Sequence, residues 1–134
     1  MKEQTVELVP KKPTAKGSAA WFTGDVWIDP IVQGRNGSRL SINAVHFTPG
    51  ARTAWHSHSH GQTLHVTEGE GLIQSQDEPV VTIRAGDVVY SSADEWHWHG
   101  ATPNCFMTHT SITEGTATWG DHTTDAEYHG EANV

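Results

Sequence analysis

The chain has 134 residues, a formal charge of −8 with neutral histidines, and one cysteine, Cys105. A single domain of that length buries about two thirds of its unfolded surface without disulfides. An acidic protein whose four lysines (Lys2, Lys11, Lys12, Lys16) all fall in the first sixteen residues, with no Lys or Arg after Arg84, offers nucleic acid or an anionic membrane a repelling surface.

The opening stretch, "MKEQTVELVPKKPTAKG", lacks an apolar core of signal-peptide length, and no run reaches the ~20 apolar residues of a membrane span. The expected compartment is the cytoplasm. Residues 1–20, with Pro10 and Pro13, read as an N-terminal arm. Short alternating runs follow from Trp21: "DVWI" before "DP", "LSINAVHF" between "GRNGSR" and "TPGAR", "QTLHV" before "TEGEG", "LIQS" before "QDEP". "VVTI", "VVYS", "WHWHG" and "FMTHTSI" continue the pattern. Runs of this length and spacing, rich in Val, Ile, Thr and Trp, predict an all-β sandwich or barrel over 21–115. Residues 116–134 form an acidic tail; there Thr124 and Glu127 stand at capping-box spacing, enough for one short helical turn.

Histidine placement carries the chemistry. Four of the ten histidines lie within "AWHSHSHGQTLHV". Residues i and i+2 of a strand share a face, so His56 and His58 point one way and Gln62 can return to that side after the bend. "EWHWHG" repeats the device, with His97 and His99 on one face and Trp96 and Trp98 on the other. "MTHTSI" sets His109 in line with Met107 and Ser111. Three segments thus offer imidazoles to one interior. Neutral imidazole is the commonest nitrogen ligand for divalent transition metals, an amide adds an oxygen, and a lone cysteine cannot build a thiolate-rich structural site. Three imidazoles and an amide around an octahedral ion would leave two positions for substrate.

The other histidines read as structural or solvated. His65 falls on the opposite face from Gln62, Leu64 and Val66; His60 lies in the bend. His46 faces away if Asn43, Val45 and Phe47 line the interior, and Asn43 then hydrogen-bonds substrate or satisfies the wall. His122 and His129 lie in the tail. Trp96 and Trp98 are expected to pack on a second sheet or a subunit. Gly50, Gly69, Gly71 and Gly86 are turn residues.

Residues 50–69 read G-x5-H-x-H-x3-Q-x6-G, from Gly50 through His56, His58 and Gln62 to Gly69. This resembles the first cupin motif, with Gln in the usual place of Glu. "GDVVYSSADEWHWHGA", from Gly86 to His97 and on to Ala101, resembles the second, with Ser92, Asp94 and Ala101 where Pro, Gly and Asn are usual. "KGSAAWFTGDVWIDP", "TPGARTAWHSH", "GQTLHVTEGEG" and "HWHGA" extend the similarity to small bacterial cupins that include the manganese-dependent hydroxynitrile lyases. The resemblance implies a double-stranded β-helix, or jelly-roll barrel, and metal ligands His56, His58, Gln62 and His97. It puts His99 and His109 beside the metal as proton-transfer groups. It also implies a small-molecule substrate and Mn(II), or alternatively Fe(II), Ni(II) or Zn(II).

A neutral amide ligand leaves the ion its full positive charge, which favours polarising a substrate oxygen over redox cycling. The resemblance to hydroxynitrile lyases then implies cleavage or formation of a small cyanohydrin as the expected activity. A cupin dioxygenase or a non-catalytic binding cupin are the alternatives, because the fold alone does not fix the chemistry. A homodimer or larger homo-oligomer is expected, with the arm crossing between copies.

Overall fold

The computed structural model describes residues 6–131 and is nearly all sheet, as the alternating runs predict. Twelve strands and one helix occur: β1 (Ala15–Lys16), β2 (Phe22–Thr23), β3 (Val26–Gln33), β4 (Leu40–Phe47), β5 (Arg52–Thr53), β6 (His56–His58), β7 (Gln62–Ser75), β8 (Val81–Arg84), β9 (Val88–Ser91), β10 (His97–Ala101), β11 (Met107–Glu114), β12 (Ala117–Trp119) and α1 (Asp125–Tyr128). Every pairing is antiparallel. Strand order runs β1-β3-β4-β11-β7-β10-β5-β2, with β9 and β8 beside the two halves of β7, and β6 between β10 and β12. The sheet curls on itself as a jelly-roll barrel. No described helix is long and apolar enough to cross a membrane.

The curl depends on β7. "TEGEG" reads as a turn, yet β7 runs unbroken through it, pairing β11 and β9 with its first half and β10 and β8 with its second. A register shift between Thr108 and His109 and a positive φ of 77° at Gly69 let the strand change direction without ending. A Cβ at Gly69 would overlap the Phe106 carbonyl, and one at Gly71 would overlap the Met107 sulfur. Glycine here permits two backbones to approach closely rather than reversing the chain. "DP" likewise lies inside β3, at a shift between Pro30 and Val32.

Val26, Val45, Phe47, Leu64, Val66, Ile73, Ile83 and Met107 form the apolar core. The inward positions of β4 and β11 are set by register, with His109 opposite Val45 and Ser111 opposite Asn43. The C-terminal segment is tied down more firmly than an acidic tail would be. Pairing of β12 with β6 puts Trp119 opposite His56. Thr124 and Glu127 make the capping box, and Arg52 holds both the Thr123 carbonyl and Asp125. Trp98 is fully buried, donates to Gln74 at 2.8 Å and packs on Tyr128. What covers it is therefore the chain's own C-terminus, not a second sheet or a subunit.

Substituting Gly69→Ala is expected to lower the unfolding free energy by about 3 kcal/mol or more, through backbone overlap added to left-handed strain. Gly37→Ala, also at positive φ but in open space, should cost only about 1 kcal/mol. Urea denaturation of both variants checks the contrast.

Candidate metal centre

Five imidazoles are buried together: His56, His58, His97, His99 and His109. Antiparallel pairing of β6 with β10 sets His97 opposite His56, and strand parity adds His58 and His99 to the same side. One ring nitrogen from each of His56, His97 and His99 lies within 4.8 Å of the others. The His58 ring meets that of His56 edge-on at 5.0 Å and lies 5.8 Å from that of His97. Gln62, from the start of β7, reaches His97 Nε2 with its Oε1 at 2.9 Å.

Hydrogen bonds fix which nitrogens face the centre. His56 Nδ1 donates to the Ala54 carbonyl at 2.9 Å and His97 Nδ1 to the Glu95 carbonyl at 3.0 Å. A carbonyl can only accept, so the Nε2 atoms of both neutral rings keep free lone pairs. Backbone carbonyls commonly orient metal-binding histidines in this way. Gln62 Nε2 donates to Ser111 Oγ at 2.9 Å, which turns Oε1 toward His97 Nε2. Two acceptors then face each other, an arrangement that a cation between them relieves. Flipping the amide would satisfy that pair alone; buried His58 Nε2 and His99 Nε2 would still have no hydrogen-bond partner. The donor set fits a divalent transition ion: imidazole nitrogens, one amide oxygen, no thiolate.

Burial is the main cause that keeps these rings neutral. It lowers the pKa of His56 and His99 well below the ordinary imidazole value, and neighbouring histidines lower both further. His97 is lowered mainly by burial too. His58 falls to about 4 through burial and the nearby His97, against a raising contribution from Gln62. His109 falls to about 3, chiefly through burial. No Asp or Glu is buried among the described residues.

Of the residues expected as ligands, His56, His97 and Gln62 meet closely, and His58 stands at the side of the cluster. His99, expected as a proton-transfer group, supplies the third nitrogen of the tight triad. Its Nδ1 lies 3.1 Å from His109 Nε2, so the two rings share one proton. Phe47 borders both, with ring centroids 5.9 Å from His99 and 5.2 Å from His109. The remaining histidines stay apart. His46 faces outward, bonded to Asp29 at 2.8 Å and Thr108 at 3.1 Å. His60, His65, His122 and His129 are exposed. Asn43 points inward and accepts from Gln33 at 2.9 Å.

Trp119 was not legible as part of the site. Its ring lies 4.6 Å from that of His56 and stacks on Trp21 at 5.2 Å, walling one flank. The alternating "TATW" was a signal, masked by its acidic surroundings. A groove of about 1020 Å³ lined by Trp55, Trp96 and Glu127 includes none of the five interior histidines.

Comparison with known proteins agrees with this geometry. A family model described as a cupin domain matches residues 43–106. An (R)-mandelonitrile lyase of Granulicella tundricola is 46% identical over 127 residues, spanning 92% of this chain and 97% of that protein. A cupin-like protein from Thermotoga maritima is 36% identical, with a TM-score of 0.84 over 96% of this chain and all of that one. An acetylacetone dioxygenase from Acinetobacter johnsonii shares the fold, with a TM-score of 0.73 at 16% identity over 90% of this chain and 83% of that one.

Two outcomes follow. Gln62→Ala and His97→Ala should each weaken divalent-metal affinity at least ~10-fold, measured by competition with a chelating dye. For pH, an imidazole whose folded pKa lies below its unfolded ~6.5 takes up a proton earlier in the unfolded chain, so stability is lost as pH falls through that interval. His58 alone should remove about 3 kcal/mol from the metal-free protein between pH 6.5 and 4. A flat urea-denaturation profile over that range would contradict the neutral-imidazole cluster.

Proposed function

The chain belongs to the cupin family, and we propose that it is a metal-dependent lyase that cleaves or forms small cyanohydrins. The observation that carries this reading is the cluster of buried, neutral, unpartnered imidazole nitrogens beside an oriented amide oxygen. The mandelonitrile lyase that matches nearly the whole chain points the chemistry toward cyanohydrins. His56, His58, His97 and Gln62 would hold the ion, and His99, hydrogen-bonded to His109, would stand beside it. Mn(II) is the proposed metal on the resemblance to the manganese-dependent lyases, and the imidazole and amide donors would also accept Fe(II), Ni(II) or Zn(II). Such an ion supplies Lewis acidity, stabilising negative charge on a substrate oxygen.

The chain's own groups handle the protons. The hydroxyl of a cyanohydrin loses its proton to the His99–His109 pair, where burial keeps imidazole in its basic form. The C–CN bond then breaks, its electron pair leaving with cyanide. A carbonyl remains on the substrate, and the proton held by the histidine pair converts cyanide to HCN. Phe47 and Val45, beside His109, give the organic substituent an apolar wall. The half-buried free Cys105 suits a reducing cytoplasm.

The test is cyanide and benzaldehyde release from mandelonitrile by protein stripped and reloaded with each ion. Activity should require a divalent ion, and His109→Ala should keep the metal while losing ~100-fold or more in kcat. Full activity in stripped protein, or oxygen consumption without cyanide release, would overturn the proposal.

A further inference from the structure

Two of the proposed ligands, His56 and His58, sit on β6, a strand of only three residues. With β10 this strand makes one pair, His97 with His56, whereas β12 pairs along all of it: Ala117 with His58, Thr118 with Ser57, and Trp119 with His56. A strand so short depends on its neighbours for its position. Most of that support comes from the C-terminal segment, which contributes none of the proposed ligands.

The same segment grips the chain on both sides of β6. Ahead of it, Arg52 donates to the Thr123 carbonyl and to Asp125, and Thr123 Oγ1 donates to the Thr53 carbonyl at 3.0 Å. The Trp55 N–H donates to the Asp121 carbonyl at 2.9 Å, and the Gly120 N–H returns to the Trp55 carbonyl at 2.7 Å. The Trp55 indole donates to Glu127 at 3.2 Å. Beyond β6, the Ser59 N–H donates to the Thr116 carbonyl at 2.9 Å. At the ligand itself the contact is direct. The Trp119 ring lies 4.6 Å from that of His56, with the planes inclined by 32°, and is itself stacked on Trp21. The Ala54 carbonyl holds His56 by one nitrogen and leaves the ring free to tilt about that bond; the indole face removes this freedom.

We infer that Trp119 is a positioning residue for His56, and that residues 117–128 act as a clamp whose docking is linked to metal binding. This rests on the reading of His56 and His58 as metal ligands. Groups that orient a metal ligand are typically worth about 10–100-fold in metal affinity. Linkage is reciprocal: whatever factor the docked clamp adds to metal affinity, the bound metal adds to docking of the clamp. A three-residue strand and a four-residue helix are small enough to open locally while the barrel stays folded. Were the segment only a cover over the core, loosening it would lower stability and leave the metal affinity of the folded protein unchanged.

The test titrates the full-length protein with Mn(II) against a chelating dye. Trp119→Leu should bind Mn(II) ~10-fold or more weakly, while Trp119→Phe, which keeps an aromatic face, should stay within ~3-fold of wild type. Trp27→Leu, at an exposed tryptophan of β3, should bind as wild type does. Hydrogen exchange of the wild type needs no substitution. There Mn(II) should slow the amides of 117–128 by ~10-fold, while the strand β8, paired only with β7, keeps its rate. Should Trp119→Leu fail to fold, the exchange measurement decides alone. A folded Trp119→Leu with wild-type Mn(II) affinity, or exchange over 117–128 that ignores the ion, would overturn the inference and leave the metal centre standing. Failure of the wild type to bind any divalent ion would overturn both.

Discussion

Five imidazoles share the interior of this barrel, and no carboxylate is buried with them among the described residues. Protonation cannot settle such a cluster, because like charges would then crowd a region without counter-ions. Hydrogen bonding settles it only in part: the Ala54 and Glu95 carbonyls take one proton each, His99 and His109 share another, and buried lone pairs remain. Unpaired buried polar atoms cost on the order of 1–3 kcal/mol each, so several lone pairs in one place favour a ligand that draws on them. A divalent cation meets that requirement with the donors already aimed. Much of the rest of the structure can be understood as the scaffold that holds this neutral, electron-rich cluster together.

The scaffold does so with backbone geometry more than with side-chain contacts. Pairing of β6 with β10 is short, yet it decides that His56 and His97 meet. Pairing of β11 with both β4 and β7 fixes His109 and Ser111 on the inner side, and Ser111 in turn orients Gln62. Because β7 bends without ending, one strand carries Gln62 at its start beside β11 and pairs with β10 along its second half. Phe47 and Trp119 close the flanks with aromatic surface, so the imidazoles sit in low dielectric, where a bound charge acts strongly on a substrate. Stability and chemistry therefore depend on the same burial, which keeps the rings neutral and also makes the metal-free fold sensitive to acid.

Much of this was readable from residue order because strand parity is rigid. His56 with His58, and His97 with His99, had to share faces once those segments were read as strands. The turn chemistry around them pointed to a barrel, and the two motifs gave its family. What parity could not supply was register across strands. Nothing in "HWHG" states that a ring nitrogen of His99 comes within 4.8 Å of those of His56 and His97; that follows from the pairing of β10 with β6, which sets His97 opposite His56. "TEGEG" looked like a turn because a glycine at positive φ serves equally for reversing a chain and for bending a strand past a neighbour. Trp119 escaped notice because a three-residue strand carries too little pattern to stand out; the turn of α1 was announced by its capping box, but not that its Tyr128 would pack on Trp98.

The most direct test is X-ray absorption at the metal edge of the reconstituted protein. This account predicts the multiple-scattering signature of three imidazoles, from His56, His58 and His97, with oxygens completing the shell. A first shell of oxygens alone, with no imidazole signature, would contradict it.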